Sequence, residues 1–116
     1  MVVRDMTKRY TPSKGDLIWI DFNPQVGKEI MKRRPALVLS PKEYNTHGLA
    51  LVVPIRSRAK SYPFEVKTEN VNVRGVILAD SIKSLDWQGR NAKFIDTVSK
   101  NKLNEVLELL SVLLEP

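Results

Sequence analysis

Apolar residues in this 116-residue chain fall into short runs along most of its length and switch to helical spacing only near the end. The segment Gly15-Asp16-Leu17-Ile18-Trp19-Ile20-Asp21-Phe22 is rich in β-formers and stops at Asn23-Pro24, a turn signal, which predicts a strand. Residues 25 to 33 are polar, hold Gly27 and offer no apolar face, so they read as a loop. Pro35-Ala36-Leu37-Val38-Leu39-Ser40 is a continuous apolar run closed by Pro41, the pattern of a central strand. Asn45-Thr46-His47-Gly48 predicts a turn, and the apolar run from Leu49 to Ile55 behind it should lie beside the preceding strand. Phe64-Glu65-Val66 and Gly75-Val76-Ile77-Leu78-Ala79 bring the expected strands to five.

Beyond Ser99, which is placed to cap a helix, Leu103, Val106, Leu107, Leu110, Leu113 and Leu114 share one helical face. Leu109 and Val112 widen that face, which leaves both core packing and a dimer interface open. The pattern predicts a mainly β, α+β fold: a small, strongly curved antiparallel sheet or barrel with a C-terminal amphipathic helix beside it. Length adds one domain over residues 1–116, without repeats or linkers.

Composition narrows the chemistry. Hydrophobic residues at 42% and charged residues at 28% are ordinary for a folded soluble domain. No apolar run approaches the roughly 18 residues of a membrane span. The segment Met1 to Lys14 carries charge where a signal peptide would be apolar, so a cytoplasmic location without membrane partners is expected. With no cysteine and one histidine, the chain cannot build a thiolate metal site, a cysteine nucleophile or a two-histidine nuclease centre. A formal charge of +6 favours a polyanionic partner, either nucleic acid or an acidic protein. The cations cluster at Lys28, Lys32, Arg33 and Arg34 and at Arg56, Arg58 and Lys60, which fits a binding surface and two solvated loops equally.

Several stretches, in order and at matching spacing, resemble the MazF/PemK family of toxins. They are Gly15 to Pro24, Gly27-Lys28-Glu29, Arg34 to Pro41, Tyr44-Asn45, Val53-Pro54, Lys60-Ser61-Tyr62-Pro63-Phe64-Glu65-Val66, Gly75 to Asp80 and Ser84-Leu85-Asp86-Trp87. The resemblance implies an SH3-like antiparallel barrel with a C-terminal helix, a homodimer, and sequence-selective cleavage of single-stranded RNA with no metal or other cofactor. It also implies an acidic antitoxin that wraps the basic surface and blocks the Glu29/Arg34 loop.

Cleavage without a metal can use the 2′-hydroxyl of the RNA as nucleophile, leaving a 2′,3′-cyclic phosphate and a 5′-hydroxyl. The protein must then supply a proton acceptor, a proton donor and donors where charge grows on the phosphorane. Arg34 matches the functional arginine of the family, and its planar fork can bond two phosphate oxygens. Glu29 matches a family glutamate that could accept a proton, orient Arg34 or contact a base. Asp80 matches an aspartate that could orient Arg34 or transfer a proton, with turn capping as the plainer reading. The chain departs from the family at Arg56, where a functional threonine is usual, while a hydroxyl follows at Ser57. Three outcomes stand open: Arg56 replaces the hydroxyl, Ser57 takes over, or a weakened homologue only binds RNA or antitoxin.

For RNA binding, Lys28, Lys60 and Lys83 are candidate phosphate contacts and Phe22 and Tyr62 candidate stacking faces. Trp19 and Trp87 are expected in packing or a dimer interface, and His47 on an exposed turn. A non-enzymatic, gyrase-binding toxin of the CcdB type is the alternative from another class, since that barrel hosts both activities.

Overall fold

The computed structural model describes residues 10–22 and 33–116. Seven strands and two helices are described: β1 (Asp16–Asp21), β2 (Arg33–Val38), α1 (Lys42–Asn45), β3 (Leu49–Arg56), β4 (Glu65–Lys67), β5 (Val76–Leu78), β6 (Lys83–Asp86), β7 (Lys93–Thr97) and α2 (Lys100–Leu114). The antiparallel sheet runs β4-β5-β3-β2-β1-β7, with β6 also paired to β3. Long β3 makes the bend. Its first half, Leu49 to Val52, pairs with β6, and its end, Ile55 and Arg56, pairs with β5.

Register explains why β1, β2 and β3 read as continuous apolar runs. Leu17 lies opposite Leu37 and Leu37 opposite Val53, and these join one core with Ile55, Val66, Ile77 and the α2 residues Val106 and Leu110. Ile18 lies opposite Ala36 and Val38 opposite Val52, and these join a second core with Ile20, Ala50, Leu85 and Trp87. A strand with an apolar cluster on each side needs apolar residues at consecutive positions.

The α+β fold class agrees with the sequence reading, but the described strands do not close into a ring, so "barrel" holds only loosely. Across the gap between β4 and β7, the amides of Asn70 and Asn72 donate to the Asp96 carboxylate at 3.2 and 3.0 Å in place of a backbone ladder. Two strands exceed expectation, β6 and β7, because each offers little buried apolar surface. The predicted turn at 45–48 begins one residue later, since Asn45 ends α1. Ser99 caps α2 by accepting from the Lys102 N–H at 3.1 Å. The apolar stripe of α2 is covered only in part: Val106 and Leu110 are buried, whereas Leu113 and Leu114 are exposed, Leu114 by 78%.

Asn45 is fully buried and satisfied. Its amide donates to the carbonyls of Pro12 and Ser40 at 2.8 and 2.9 Å, its oxygen accepts from the Ser40 hydroxyl at 2.5 Å, and its carbonyl accepts from the Trp87 indole at 2.8 Å. Asn45 thereby ties two distant segments, at Pro12 and Trp87, to its own turn. Among the described residues, no helix is long and apolar enough to cross a membrane.

Candidate functional site

Arg34 lies near the start of β2 opposite Ile20, and the next pair in register is Trp19 with Pro35. Ile18 and Ile20 are wholly buried, yet Trp19 between them is 41% exposed. It lines a cavity of about 340 Å³ together with Arg34, Ser57 and Arg74, over Ile55 and Val73. The cavity therefore combines an aromatic face, two guanidinium-bearing residues, one hydroxyl and an apolar floor.

Ser57 reaches this cavity because β3 ends at Arg56 and the chain bends there. The β4–β5 connection is pressed against that bend at Gly75, whose φ is +144°. A Cβ on Gly75 would lie 2.2 Å from the Arg56 carbonyl oxygen, so only glycine permits the approach that sets Arg74 beside Ser57. Ser57 and Arg74 also line an adjoining cleft of about 440 Å³ that includes Lys67.

Arg33, next to Arg34, is engaged in the fold. Its guanidinium donates to Asp21 at 2.9 Å and to the Asn91 carbonyl at 2.7 Å, and Asn91 donates to Asp21 at 2.8 Å. Asn91, then Arg33, hold the Asp21 carboxyl below the usual range by bonding its charged form. Arg90 donates to the carbonyls of Asp21 and Phe22 at 3.1 and 2.6 Å, which fixes the end of β1 where the chain enters segment 23–32.

A second cleft of about 470 Å³ is lined by Arg56, Lys60, Tyr62, Leu78 and Asp80. The Tyr62 hydroxyl donates to Asp80, and this bond, followed by desolvation and the Asp80 charge, pushes the phenol up. The Arg56 guanidinium pairs with Glu65, and its Nε donates to the Arg58 carbonyl at 3.1 Å. Burial acts to raise the Glu65 carboxyl, but the Lys60 N–H and the Arg56 guanidinium outweigh it, and the group lies below its usual range.

The structure thus brings Arg34 and Ser57 to one cavity and places Arg56, Lys60, Tyr62 and Asp80 around another. Phe22 is half-buried against the cluster of Ile18 and Ile20, and Lys83 stands exposed at the start of β6 opposite Val52. Lys28 and Glu29 lie outside the described residues. Trp87 is buried and His47 is exposed. Two cavity residues had no functional signal in the sequence: Trp19, expected in packing or a dimer interface, and Arg74, whose neighbour Gly75 marks the close approach only once the fold is known.

Comparison with known proteins places the chain among relatives of one kind. A sequence model for the PemK-like, MazF-like toxins of type II toxin-antitoxin systems matches residues 13–114. Over 110 residues the chain is 44% identical to the endoribonuclease toxin MazF of Escherichia coli (strain K12), covering 94% of this chain and 99% of that protein. Identity to the endoribonuclease toxin ChpB of the same strain is 31% over 116 residues, covering 95% and 100%. Among solved structures, the MazE-MazF crystal structure (Form-II) from Deinococcus radiodurans matches with a TM-score of 0.86 at 47% identity, covering 91% of this chain and 97% of that one.

Proposed function

The chain belongs to the PemK-like, MazF-like toxin family of type II toxin-antitoxin systems, and we propose that it cleaves single-stranded RNA at the cavity shared by Arg34 and Ser57. It is an endoribonuclease and the toxin of such a system, with RNA as substrate and an antitoxin as partner. The observation that carries the site is the meeting of Arg34, the Ser57 hydroxyl, Arg74 and an exposed Trp19 in one cavity.

Each group has a task in cleavage by the 2′-hydroxyl. The RNA supplies its own nucleophile, so the protein needs no bound metal to generate one. Arg34 donates two parallel hydrogen bonds to the non-bridging oxygens as negative charge accumulates there. Ser57 supplies a further donor to the same phosphorane. Glu29 takes the 2′-hydroxyl proton, and the 5′-oxygen, released as the P–O5′ bond breaks, takes up a proton from water to leave as the 5′-hydroxyl. Trp19 offers a face for a base next to the scissile phosphate, and Arg74 binds a neighbouring phosphate. Tyr62 and Asp80 present hydrogen-bonding groups to a flanking nucleotide, with Lys60, Lys28 and Lys83 as outer phosphate contacts. Phe22 is half-buried and offers its exposed part to a base.

Arg56 does not line the Arg34 cavity, so its presence at the usual threonine position is compatible with an active enzyme in which Ser57 provides the hydroxyl. The single 1–116 domain acts in the cytoplasm as a homodimer. The uncovered apolar end of α2, Val112 to Leu114, supports a second copy, and the +6 charge supports an acidic antitoxin. No relative named above favours the gyrase-binding alternative.

The test is incubation of the purified protein with single-stranded RNA and with DNA of the same sequence, in excess EDTA. RNA should be cut and DNA left intact, and Arg34→Ala should abolish cutting without lowering the melting temperature. Undiminished cleavage by that variant removes Arg34 from the reaction.

A further inference from the structure

We propose that Glu65 is a positioning residue for RNA cleavage, its carboxylate clamping the 56–60 loop so that Ser57 is held in the Arg34 cavity. This rests on the reading of that cavity as the reaction centre. Glu65 opens β4, and its own N–H donates to the Tyr62 carbonyl at 3.1 Å. Its carboxylate takes the Lys60 N–H on both oxygens, at 3.1 and 3.0 Å, and the Arg56 guanidinium on one of them. Arg56 in turn donates from Nε to the Arg58 carbonyl at 3.1 Å.

Both neighbours of Ser57 are therefore fastened, Arg56 by its side chain and Arg58 by its backbone oxygen, and both fastenings converge on one carboxylate. Behind the loop, the Gly75 backbone abuts the Arg56 carbonyl and blocks retreat to that side. Just past the loop, Ser61 has a φ of +57°, a left-handed conformation uncommon for serine.

The Glu65 side chain is only 6% exposed, and a carboxylate so placed persists because charged and backbone donors surround it. Arg56 thereby has a use that differs from the hydroxyl it replaces: it is the second half of the clamp. A transition-state donor is sensitive to such support, since displacement by about 1 Å can cost on the order of a hundredfold in rate.

The experiment measures kcat and KM on a fluorogenic single-stranded RNA for the full chain, Ser57→Ala, Glu65→Gln and the double variant, with a melting curve for each. Glu65→Gln keeps shape and an acceptor but loses the charge that holds Arg56. It should lower kcat about tenfold with KM within about twofold. In the Ser57→Ala background the same change should alter kcat by less than about twofold, because the group being positioned is gone. An equal drop in both backgrounds, or no drop beside Ser57, overturns the clamp. Unchanged cleavage by Ser57→Ala overturns the clamp together with the role of Ser57. A slow Ser57→Ala with a normal Glu65→Gln overturns the clamp alone. If Glu65→Gln melts below the assay temperature, Arg56→Gln breaks the same pair from its more exposed side and is read by the same outcomes.

Discussion

Replacing Arg74 by alanine should weaken RNA binding in a way that salt reveals. Arg34 and Arg74 line one cavity and Lys67 the cleft that adjoins it through Ser57 and Arg74, which makes three cations along one track. Each phosphate neutralised on a single strand contributes about −0.7 to the slope of log K against log salt, so these three contribute about −2.1. Arg74→Ala should bring that share to about −1.4. Between 50 and 200 mM salt, the corresponding loss of affinity falls from about 18-fold to about 7-fold. At the lower salt the variant should bind about fivefold more weakly, the worth of one ion pair of about 1 kcal/mol at a solvated surface. Other cations, such as Lys60, add to the absolute slope, so the change of about 0.7 is the quantity to read. Fluorescence anisotropy with a 2′-O-methylated RNA measures it, because that RNA binds but lacks the attacking hydroxyl. A slope unaltered by Arg74→Ala refutes a phosphate contact there, even if binding is weaker.

Ser57→Ala should cost about 10²–10³ in kcat as a lost transition-state donor, whereas Arg56→Ala should cost about tenfold; a loss above about a thousandfold for Arg56→Ala alone would make it the direct donor. Asn45→Ala strands the Pro12 carbonyl, the Ser40 carbonyl and the Ser40 hydroxyl in the interior. At roughly 1 kcal/mol each this should cost about 3 kcal/mol and about 10 °C of melting temperature, and a loss under about 1 kcal/mol in urea unfolding would contradict the burial account. Asp21 and Asp96 lie below their ordinary value of 3.8, Asp21 chiefly through Asn91 and Asp96 chiefly through the Thr97 N–H. Carboxyls lowered in the folded state contribute stability that is complete above the unfolded value and is lost as pH falls through the folded one. Melting temperature should therefore hold down to about pH 5 and fall below about pH 4, and Asp21→Asn should flatten the acid limb.

How much was legible follows from which residues were buried on which side. The runs at Leu17–Ile20, Ala36–Leu39 and Val52–Val53 announced strands because apolar cores lie on both sides of them, Trp19 being the exposed position among them. In β6 only Leu85 is buried and in β7 Ile95 is half-covered, so neither gave a period to read. Leu113 and Leu114 fit the helical stripe, but spacing alone does not tell where the sheet beneath it ends. At the site, Arg34 was marked by its match to the family motif. The diversion of Arg56 was invisible because its partner Glu65 is nine residues away, on a strand whose placement only the folded sheet decides. Arg74 and Trp19 likewise meet Arg34 through the approach of the β4–β5 connection at Gly75, a tertiary event without a local signal.

In the proposed mechanism Arg34 and Ser57 serve a reaction in which the RNA attacks itself. Mass spectrometry of the fragments from an RNA cut in excess EDTA, alongside the same RNA carrying one 2′-deoxy nucleotide at the cut position, reads that chemistry from the ends it leaves. The intact RNA should yield a 2′,3′-cyclic phosphate on one fragment and a 5′-hydroxyl on the other, and the deoxy-substituted RNA should survive at that position. A 5′-phosphate, or cleavage at the deoxy position, would rule out attack by the 2′-hydroxyl.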